Sequence, residues 1–227
     1  MQLEISMRVK SQICSHANAT VRLAITPSID MKYLFNNGFY ILKGEVDSGF
    51  WGLTYELSNC RFKSKERIKK IALDGRDITF NQLNELCYYI AQNEYSFFRR
   101  FFRINVKDIL KTSLRKGKTN FTYSQIINIF NLKETYLNRP FCALSHNRWI
   151  YSCAIGFALG KKVFCFPWLI NNEIKSQVYR FSLLSDVAQK YDLIFLLPTE
   201  NIDVFSDLET DSNKFIYLSI DNILNFD

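Results

Sequence analysis

The sequence predicts an α/β protein whose mostly parallel sheet is flanked by helices. Three apolar runs, VFCF (163–166), DLIFLL (192–197) and FIYLSI (215–220), are typical of strands buried on both faces of a sheet. Helical spacing covers 147–159 and 173–190 between them. Strands that alternate with helices in this way build parallel sheets. The chain has 227 residues, 48% hydrophobic and 22% charged, which suits one sizeable core.

Shorter elements precede these runs. Residues 38–43 (GFYILK) form an apolar strand, and 52–58 open a helix behind it. IALDGRDIT (71–79) predicts a strand, a tight Asp-Gly turn and a second strand. The other predicted elements are strands at 3–9 and 20–25 and helices at 81–92 and 123–132.

Individual residues indicate where one predicted helix begins and ends and which face of another is apolar. Asn147 is the expected N-cap of the helix that runs to about Leu159. Gly160 is its expected stop, because glycine adopts the left-handed conformation that ends many helices. In the helix predicted at 81–92, one face collects Leu83, Leu86, Cys87 and Ile90.

Charge is unevenly distributed along the chain. Lys and Arg outnumber Asp and Glu in 61–118, whereas the reverse holds in 171–227. The predicted organisation is an α/β core, formed by 1–60 and 140–227, with an inserted basic, partly helical subdomain at 61–139. Such a separation of charge favours contact with an anion or with the acidic end of a second copy; a solvated surface is the alternative.

Several classes of protein and site are disfavoured. No run of 18 apolar residues occurs, so we expect no membrane span and a cytoplasmic location. The six cysteines are scattered without a C-x-x-C pair, which predicts buried thiols in a reducing compartment. With only two histidines, the sequence argues against a zinc site.

The stretch GEVDSGFW (44–51) has the glycine spacing of a phosphate-binding loop. Gly44 and Gly49 match the two glycines of G-x-x-x-x-G-K-[ST]. Phe50 and Trp51 stand where that loop has the lysine that neutralises phosphate and the hydroxyl that binds magnesium.

From about residue 20 to 222 the chain resembles an ABC-type ATPase domain, because five weak matches occur in the family's order. GFYILKGEVDSGFWGLTYEL is similar to its strand, phosphate loop and helix, and IALDGRDIT to the turn and strand that follow. YYIAQNEYSFFRRFFRINVKDIL resembles the segment of its glutamine switch, which implies that role for Gln92. YLNRPFCALSHNRWIYSCAIGFALGKKVFCFPWL resembles the signature segment, its helix and the Walker B strand, and IFLLPTEN the strand with the switch histidine.

Under this resemblance every chemical position except Gln92 is altered. The signature falls at 144–148, around Ser145, without its glycines. Pro167 and Trp168 replace the two Walker B acids, and Glu200 replaces the histidine. We therefore predict a pseudo-ATPase that is not an enzyme and has no measurable affinity for ATP. An unrelated α/β fold remains the alternative. Trp51 and Trp168 either fill the nucleotide pocket or stack on a ligand or base.

Residues 96–118 interleave aromatic and basic side chains. Arg103, Lys107 and Lys111 are four residues apart and would share one face of a helix. Such a stripe suits the phosphate backbone of nucleic acid; anionic lipid, an acidic protein partner and a solvated face are alternatives. The candidate nucleic-acid-binding residues are Arg99, Arg100, Arg103, Lys107, Lys111, Arg115, Lys116 and Lys118.

In KKVFCFPWL (161–169) a strand ends in a proline, and in KYDLIFLLPTENIDVFSDLETDSNKFIYL (190–218) a turn precedes a final strand. These stretches resemble the last third of the accessory adaptation protein of type II-A CRISPR loci. That resemblance implies a ring-shaped tetramer that holds double-stranded DNA ends, partner proteins of an adaptation complex, a role in antiviral defence, and calcium instead of ATP. The main hypothesis is accordingly a catalytically dead, homo-oligomeric ABC-like scaffold that binds DNA ends in CRISPR spacer acquisition. Candidate calcium carboxylates are Asp203, Asp207, Glu209 and Asp211.

Two other hypotheses stay open. The first is a degenerate nucleotide-binding accessory subunit of an ABC transporter, docked on a membrane permease. The second is an enzyme with unrelated chemistry, for which Cys142 and His146 are a weak candidate for a nucleophile and base.

Overall fold

Two β-sheets organise the chain. The computed structural model describes residues 1–9, 29–44, 53, 54, 57, 68–91, 104–117, 119–169, 171–200, 205 and 214–219. The strands in chain order are β1 (Gln2–Val9), β2 (Ile29–Asn36), β3 (Gly38–Lys43), β4 (Ile68–Leu73), β5 (Arg76–Asp77), β6 (Cys87–Tyr89), β7 (Val163–Cys165), β8 (Ile194–Thr199) and β9 (Phe215–Ser219).

The first sheet is antiparallel, with the order β2-β1-β4-β5. Side chains alternate along β1, where Leu3 and Ile5 are fully buried and Glu4 pairs with Lys32 of β2 at 3.0 Å. The β4–β5 turn is Asp74-Gly75, whose φ angles of 49° and 76° are those a two-residue hairpin needs. The predicted strand, Asp-Gly turn and strand are therefore confirmed.

The second sheet is parallel, with the order β6-β7-β8-β3-β9. The predicted α/β fold with a mostly parallel sheet flanked by helices is thus confirmed. Strand β3 lies between β8 and β9, and Phe39 is in register with Phe195 and Phe215. Five of its six residues are buried, as the apolar run GFYILK predicts for a central strand.

Helices pack against this parallel sheet. They are, in chain order, α1 (Phe80–Leu86), α2 (Val106–Lys116), α3 (Tyr123–Ile129), α4 (Glu134–Leu137), α5 (Arg148–Ala158), α6 (Asn171–Lys175) and α7 (Val178–Lys190). Helix α7 packs Phe181 against Phe39, with ring centroids 5.6 Å apart. Helix α5 approaches the same sheet face at Gly156, where a Cβ would lie 2.7 Å from Phe164 and 2.8 Å from Tyr88. Among the described residues, no helix combines the length and apolarity needed to cross a bilayer.

Most predicted boundaries in the second half are close to those observed. The stop of α5 is confirmed: Gly160 has φ +79°, its N–H donates to the Phe157 carbonyl, and the Lys161 N–H donates to the Gly156 carbonyl. These two bonds are those of a Schellman motif, which satisfies the last carbonyls of the helix. The helix predicted at 173–190 is two helices, α6 and α7.

The helix predicted at 81–92 is wrong in its second half. Helix α1 begins after Thr79, whose hydroxyl accepts from Gln82 N–H in a capping box, but it ends at Leu86. Cys87–Tyr89 then form β6, which pairs with β7 and is buried throughout. A short apolar run fits a buried strand as well as a helix face, and pairing with β7 decides the outcome.

Strand β2 was not predicted, and the strand predicted at 20–25 lies outside the described residues. Within 61–139, strand β4 pairs with β1 and strand β6 pairs with β7, so this segment contributes to both sheets. The division into an α/β core and an inserted subdomain remains a prediction. The described helices within 61–139 are α1, α2, α3 and α4.

Candidate functional site

The candidate site lies at the edge of the parallel sheet where β3, β7 and β8 end. Gly44 follows β3, Pro167 and Trp168 follow β7, and Glu200 follows β8. The Gly44 N–H donates to the Thr199 carbonyl at 3.1 Å, which fixes the exit of β3 against β8. Open parallel sheets bind ligands at this carboxyl edge. The topology therefore brings together four of the sequence-predicted positions.

Strand β3 is followed by helical residues after a short interval. Leu53, Thr54 and Leu57 are helical and fully buried. A strand followed in the chain by helical residues, the order that flanks a phosphate loop, is thus present among the described residues. The predicted loop residues Gly49, Phe50 and Trp51 lie outside the described residues, as does Gln92.

The segment after β7 leaves the sheet through an aromatic cluster. Phe166 is fully buried, and its ring centroid lies 5.8 Å from Phe39 and 5.5 Å from Phe181. The next two residues, Pro167 and Trp168, are partly exposed. They lie where the resemblance puts the magnesium-binding acid and the water-orienting acid. That Trp51 and Trp168 fill a nucleotide pocket stays a prediction.

The signature-like segment precedes α5. Ser145 is exposed and has φ 48°, a left-handed conformation that favours glycine. A residue other than glycine therefore adopts a left-handed backbone conformation in this segment. Leu144 is 1% exposed and anchors the segment in the core.

The prediction that Asn147 is the N-cap of α5 is confirmed, although its side chain is used elsewhere. Asn147 occupies the N-cap position, but its side chain makes no capping hydrogen bond. Its Oδ1 instead accepts from Nη2 of Arg180, on α7. The charged guanidinium is a stronger donor than a backbone N–H, which explains why the side chain turns away from the helix.

A polar network joins this segment to the helices that follow β7. Nη2 of Arg148 lies 3.2 Å from Oε1 of Glu173, and its guanidinium lies 4.3 Å from the Trp149 ring centroid. Arg180 contacts Asn147 and the buried Gln177. No sequence motif indicated this network, because Arg148 and Glu173 lie 25 residues apart in the chain and Asn147 and Arg180 lie 33 apart.

Helix α2 carries four of the eight candidate nucleic-acid-binding residues. Lys107 is partly exposed, whereas Lys111, Arg115 and Lys116 are exposed. The opposite face buries apolar residues, including Leu110, so the helix presents its cations outward. The other four candidates, Arg99, Arg100, Arg103 and Lys118, lie outside the described residues.

The described cysteine and carboxylate candidates do not support a reactive thiolate or a metal site. Burial raises the pKa of Cys153 well above its usual value, which disfavours a reactive thiolate. Cys142 is exposed, and the side chain of His146 lies outside the described residues. So do the candidate calcium ligands Asp203, Asp207, Glu209 and Asp211. In the part of the chain that the structure describes, no three His, Cys, Asp or Glu residues are grouped to hold a metal ion.

Comparisons with known proteins identify the fold. No protein-family model and no curated protein matches the chain. Among solved structures, it resembles a putative ABC transporter ATP-binding protein from Pyrococcus furiosus with a TM-score of 0.61, 13% identity, and coverage of 98% of this chain and 99% of that chain. It also resembles the ATP-binding cassette MJ0796 in a dimeric post-hydrolysis state bound to ADP and Pi, with a TM-score of 0.55, 11% identity and 94% coverage of each chain.

A third match is cbiO1 of Clostridium perfringens, part of the ABC transporter complex cbiONQ. Its TM-score is 0.53 at 13% identity, covering 87% of this chain and 79% of that chain. This chain therefore has the fold of ABC ATPase cassettes over almost its whole length.

These matches overturn two predictions, namely that the chain is not an enzyme and that it takes no ATP. The structures that share its fold are ATP-binding cassettes, and MJ0796 was captured with ADP and Pi after hydrolysis. The physical reason is that a phosphate loop binds largely through backbone N–H groups at a helix N-terminus, which side-chain substitution leaves in place. Altered side chains at 50, 51, 167 and 168 are not grounds for excluding nucleotide.

Proposed function

We propose that this chain is a nucleotide-binding cassette subunit that works with a membrane permease in an ABC transporter. The observation that carries the proposal is the parallel order β6-β7-β8-β3-β9, with helical residues at Leu53, Thr54 and Leu57 following the central strand β3 in the chain. This arrangement is supported by its likeness to ABC cassettes over nearly the full length of the chain. The nucleotide would lie at the carboxyl edge, beside Gly44.

Lys43 is the residue we expect to supply positive charge at this edge. It ends β3, its side chain is exposed, and it is in register with Thr199 and Ser219 at the ends of β8 and β9. A lysine acts on phosphate as a point charge, so it tolerates more than one position around the phosphates. Lys43 would thus partly replace the lysine whose place is taken by Phe50.

The two residues after β7, Pro167 and Trp168, determine the rate of ATP hydrolysis that we expect. Carboxylates that hold magnesium and orient water stabilise phosphoryl transfer, and Pro167 and Trp168 provide neither group. We therefore propose an accessory subunit that binds ATP and turns it over more slowly than a cassette with both acids.

Isothermal titration of the full chain with ATP and Mg²⁺ tests nucleotide binding. We expect saturable binding that Lys43→Ala weakens about tenfold, a loss typical of one charge-assisted contact. Lys32→Ala, on the antiparallel sheet, is the matched control and should leave affinity unchanged. An absence of binding by the wild-type chain at millimolar ATP would refute the proposal. Co-purification with an integral membrane permease tests the transport assignment separately.

Binding of double-stranded DNA is the second candidate function. It is supported by the exposed cations Lys111, Arg115 and Lys116 on α2, and it remains a prediction. We expect linear duplex to be retarded in a gel at low salt and released steeply as salt rises, because binding releases condensed counterions. Reversal of Lys111 and Arg115 to Glu should abolish the shift, whereas Lys175→Glu on α6 should not.

The assignment to CRISPR spacer acquisition rests on resemblance alone.

A further inference from the structure

An open groove separates α3 from α7. Its volume is about 420 Å³. Phe121, Ile129, Leu183 and Tyr191 line it, and all four are only partly buried. The groove lies beside Tyr191, where the chain turns into β8, at the amino edge of the parallel sheet and therefore opposite the candidate nucleotide site. Pockets that bind small molecules fall in the range of about 300–1,000 Å³ and are mostly apolar.

The aromatic end of this groove is held in place by its neighbours. The ring of Phe121 lies 4.9 Å from that of Phe157, on α5, between centroids. It meets the ring of Tyr191 edge-on at 5.5 Å. Because Phe157 is 4% exposed and belongs to the core, the two groove-lining rings rest on a fixed support. The apolar surface is therefore already formed before any ligand binds.

The charge of the groove is set by Lys190. Asp186, the acid on the α7 wall, is compensated by Lys214, whose Nζ lies 3.2 Å from each carboxylate oxygen. The α3 wall offers the neutral amides of Gln125 and Asn128. The ammonium of Lys190 lies 5.6 Å from the Tyr191 ring centroid, and no carboxylate among the described residues forms a salt bridge with it.

We propose that the α3–α7 groove binds an amphipathic carboxylate of medium chain length. Its alkyl chain lies on Leu183 and the two aromatic rings, where it removes partly exposed apolar surface from water. Its carboxylate pairs with Lys190 at the aromatic end. Lys190 has no acidic partner among the described residues and lies beside an apolar surface, so it complements one anion with an apolar tail. The proposal is independent of the nucleotide site, which lies at the other edge of the sheet.

Titration calorimetry of the full chain with decanoate, below the concentration at which it forms micelles, tests this site. We expect saturable binding of one molecule per chain. Lys190→Ala should weaken it about tenfold, in line with a lost charge-assisted contact, while Lys190→Arg should retain it. Lys175→Ala, an exposed lysine of α6, is the matched control. Decanol, which has the same chain without the charge, should bind at least tenfold more weakly than decanoate.

A groove-filling variant gives a second, charge-independent test. Leu183→Trp should abolish decanoate binding while the thermal transition of the protein stays cooperative. The proposal is overturned if wild-type protein shows no saturable binding, or if neither Lys190→Ala nor Leu183→Trp changes it. Binding of an acidic peptide in preference to decanoate would also overturn it.

Discussion

At the residue scale, buried tyrosines govern how the fold responds to alkaline pH. Tyr33, on β2, is 3% exposed, and burial raises its pKa far above the ordinary value of 10.0. Burial also raises the pKa values of Tyr40 and Tyr151, against partial opposition from their backbone hydrogen bonds. These phenols stay protonated in the folded chain while they ionise in the unfolded chain. Their contribution to stability is therefore complete below about pH 10 and is lost as pH rises above it.

Replacing Tyr33 with Phe should reduce this alkaline loss of stability. The ring is kept, but the group whose ionisation favours unfolding is removed. We expect the fall in Tm between pH 8 and pH 11 to be smaller in Tyr33→Phe than in the wild type. Tyr179→Phe, at a side chain that is 80% exposed, is the control. An identical pH dependence in wild type and Tyr33→Phe would contradict the argument.

The residues after β7 allow a gain-of-function prediction. Introducing Pro167→Asp together with Trp168→Glu should raise the rate of ATP hydrolysis by about 10²-fold, the lower end of what a positioned acid or base contributes. The reason is that the new carboxylates would hold magnesium and orient water at the carboxyl edge. Phosphate release measures the rate. Pro167→Asn with Trp168→Gln, which matches shape without charge, should give no increase; an equal increase would point to altered packing.

At the scale of elements, the contact between α2 and α5 depends on Gly117. A Cβ at this position would lie 2.0 Å from the Ala158 carbonyl oxygen, a backbone atom at the end of α5. Its φ is −76°, so the backbone conformation itself suits any residue. The close approach of the two helices is therefore the reason that glycine is required here.

We expect Gly117→Ala to lower the free energy of unfolding by about 3 kcal/mol, the upper end for overpacked positions. The comparison is Gly75→Ala, which meets no atom within 4 Å but has φ +76° and should cost about 1 kcal/mol in backbone strain. Urea denaturation measures both. A smaller effect for Gly117→Ala than for Gly75→Ala would show that α2 moves away from α5 easily.

The sequence predicted most of the buried elements, but it predicted a single helix at 81–92 and at 173–190, where the structure has two elements each. Strand β3 was predicted with its observed bounds because its neighbours on both sides bury every residue but Lys43. Strand β6 was missed because Cys87–Tyr89 continue the apolar face of α1 without a turn residue between. Local periodicity does not distinguish these outcomes, since pairing with Val163–Cys165 comes from a distant part of the chain.

At the scale of the whole molecule, the order of motifs predicted the fold correctly while their chemistry was misjudged. The resemblance depended on five segments that occur in the same order as in the family. The fold determines this order, so it persists when individual side chains are replaced. The conclusion against ATP depended on single side chains such as Trp168. The chemistry of a site is harder to predict than the fold. Folding brings together residues that are distant in the sequence, as it does for Arg180 and Asn147, and no local motif marks such a pair.

If the proposed function holds, we expect the chain to associate on binding nucleotide. The solved structures of MJ0796 that the chain resembles are dimeric. We expect light scattering to give a monomer mass near 26.7 kDa without ligand and an increased dimer fraction with ATP and Mg²⁺. Pro167→Asp with Trp168→Glu, which we expect to hydrolyse ATP faster than the wild type, should shorten the lifetime of the dimer. A mass that does not depend on ATP would argue against this mode of assembly.

The central position of β3 has a consequence for how the protein is made. Both of its hydrogen-bonding neighbours, β8 and β9, come from the last third of the chain. During synthesis, β3 therefore leaves the ribosome long before either neighbour exists, while β1 and β2 pair early. Until β8 and β9 emerge, the apolar side chains of β3 stay unpaired on the nascent chain, and exposed apolar surface of this kind favours aggregation.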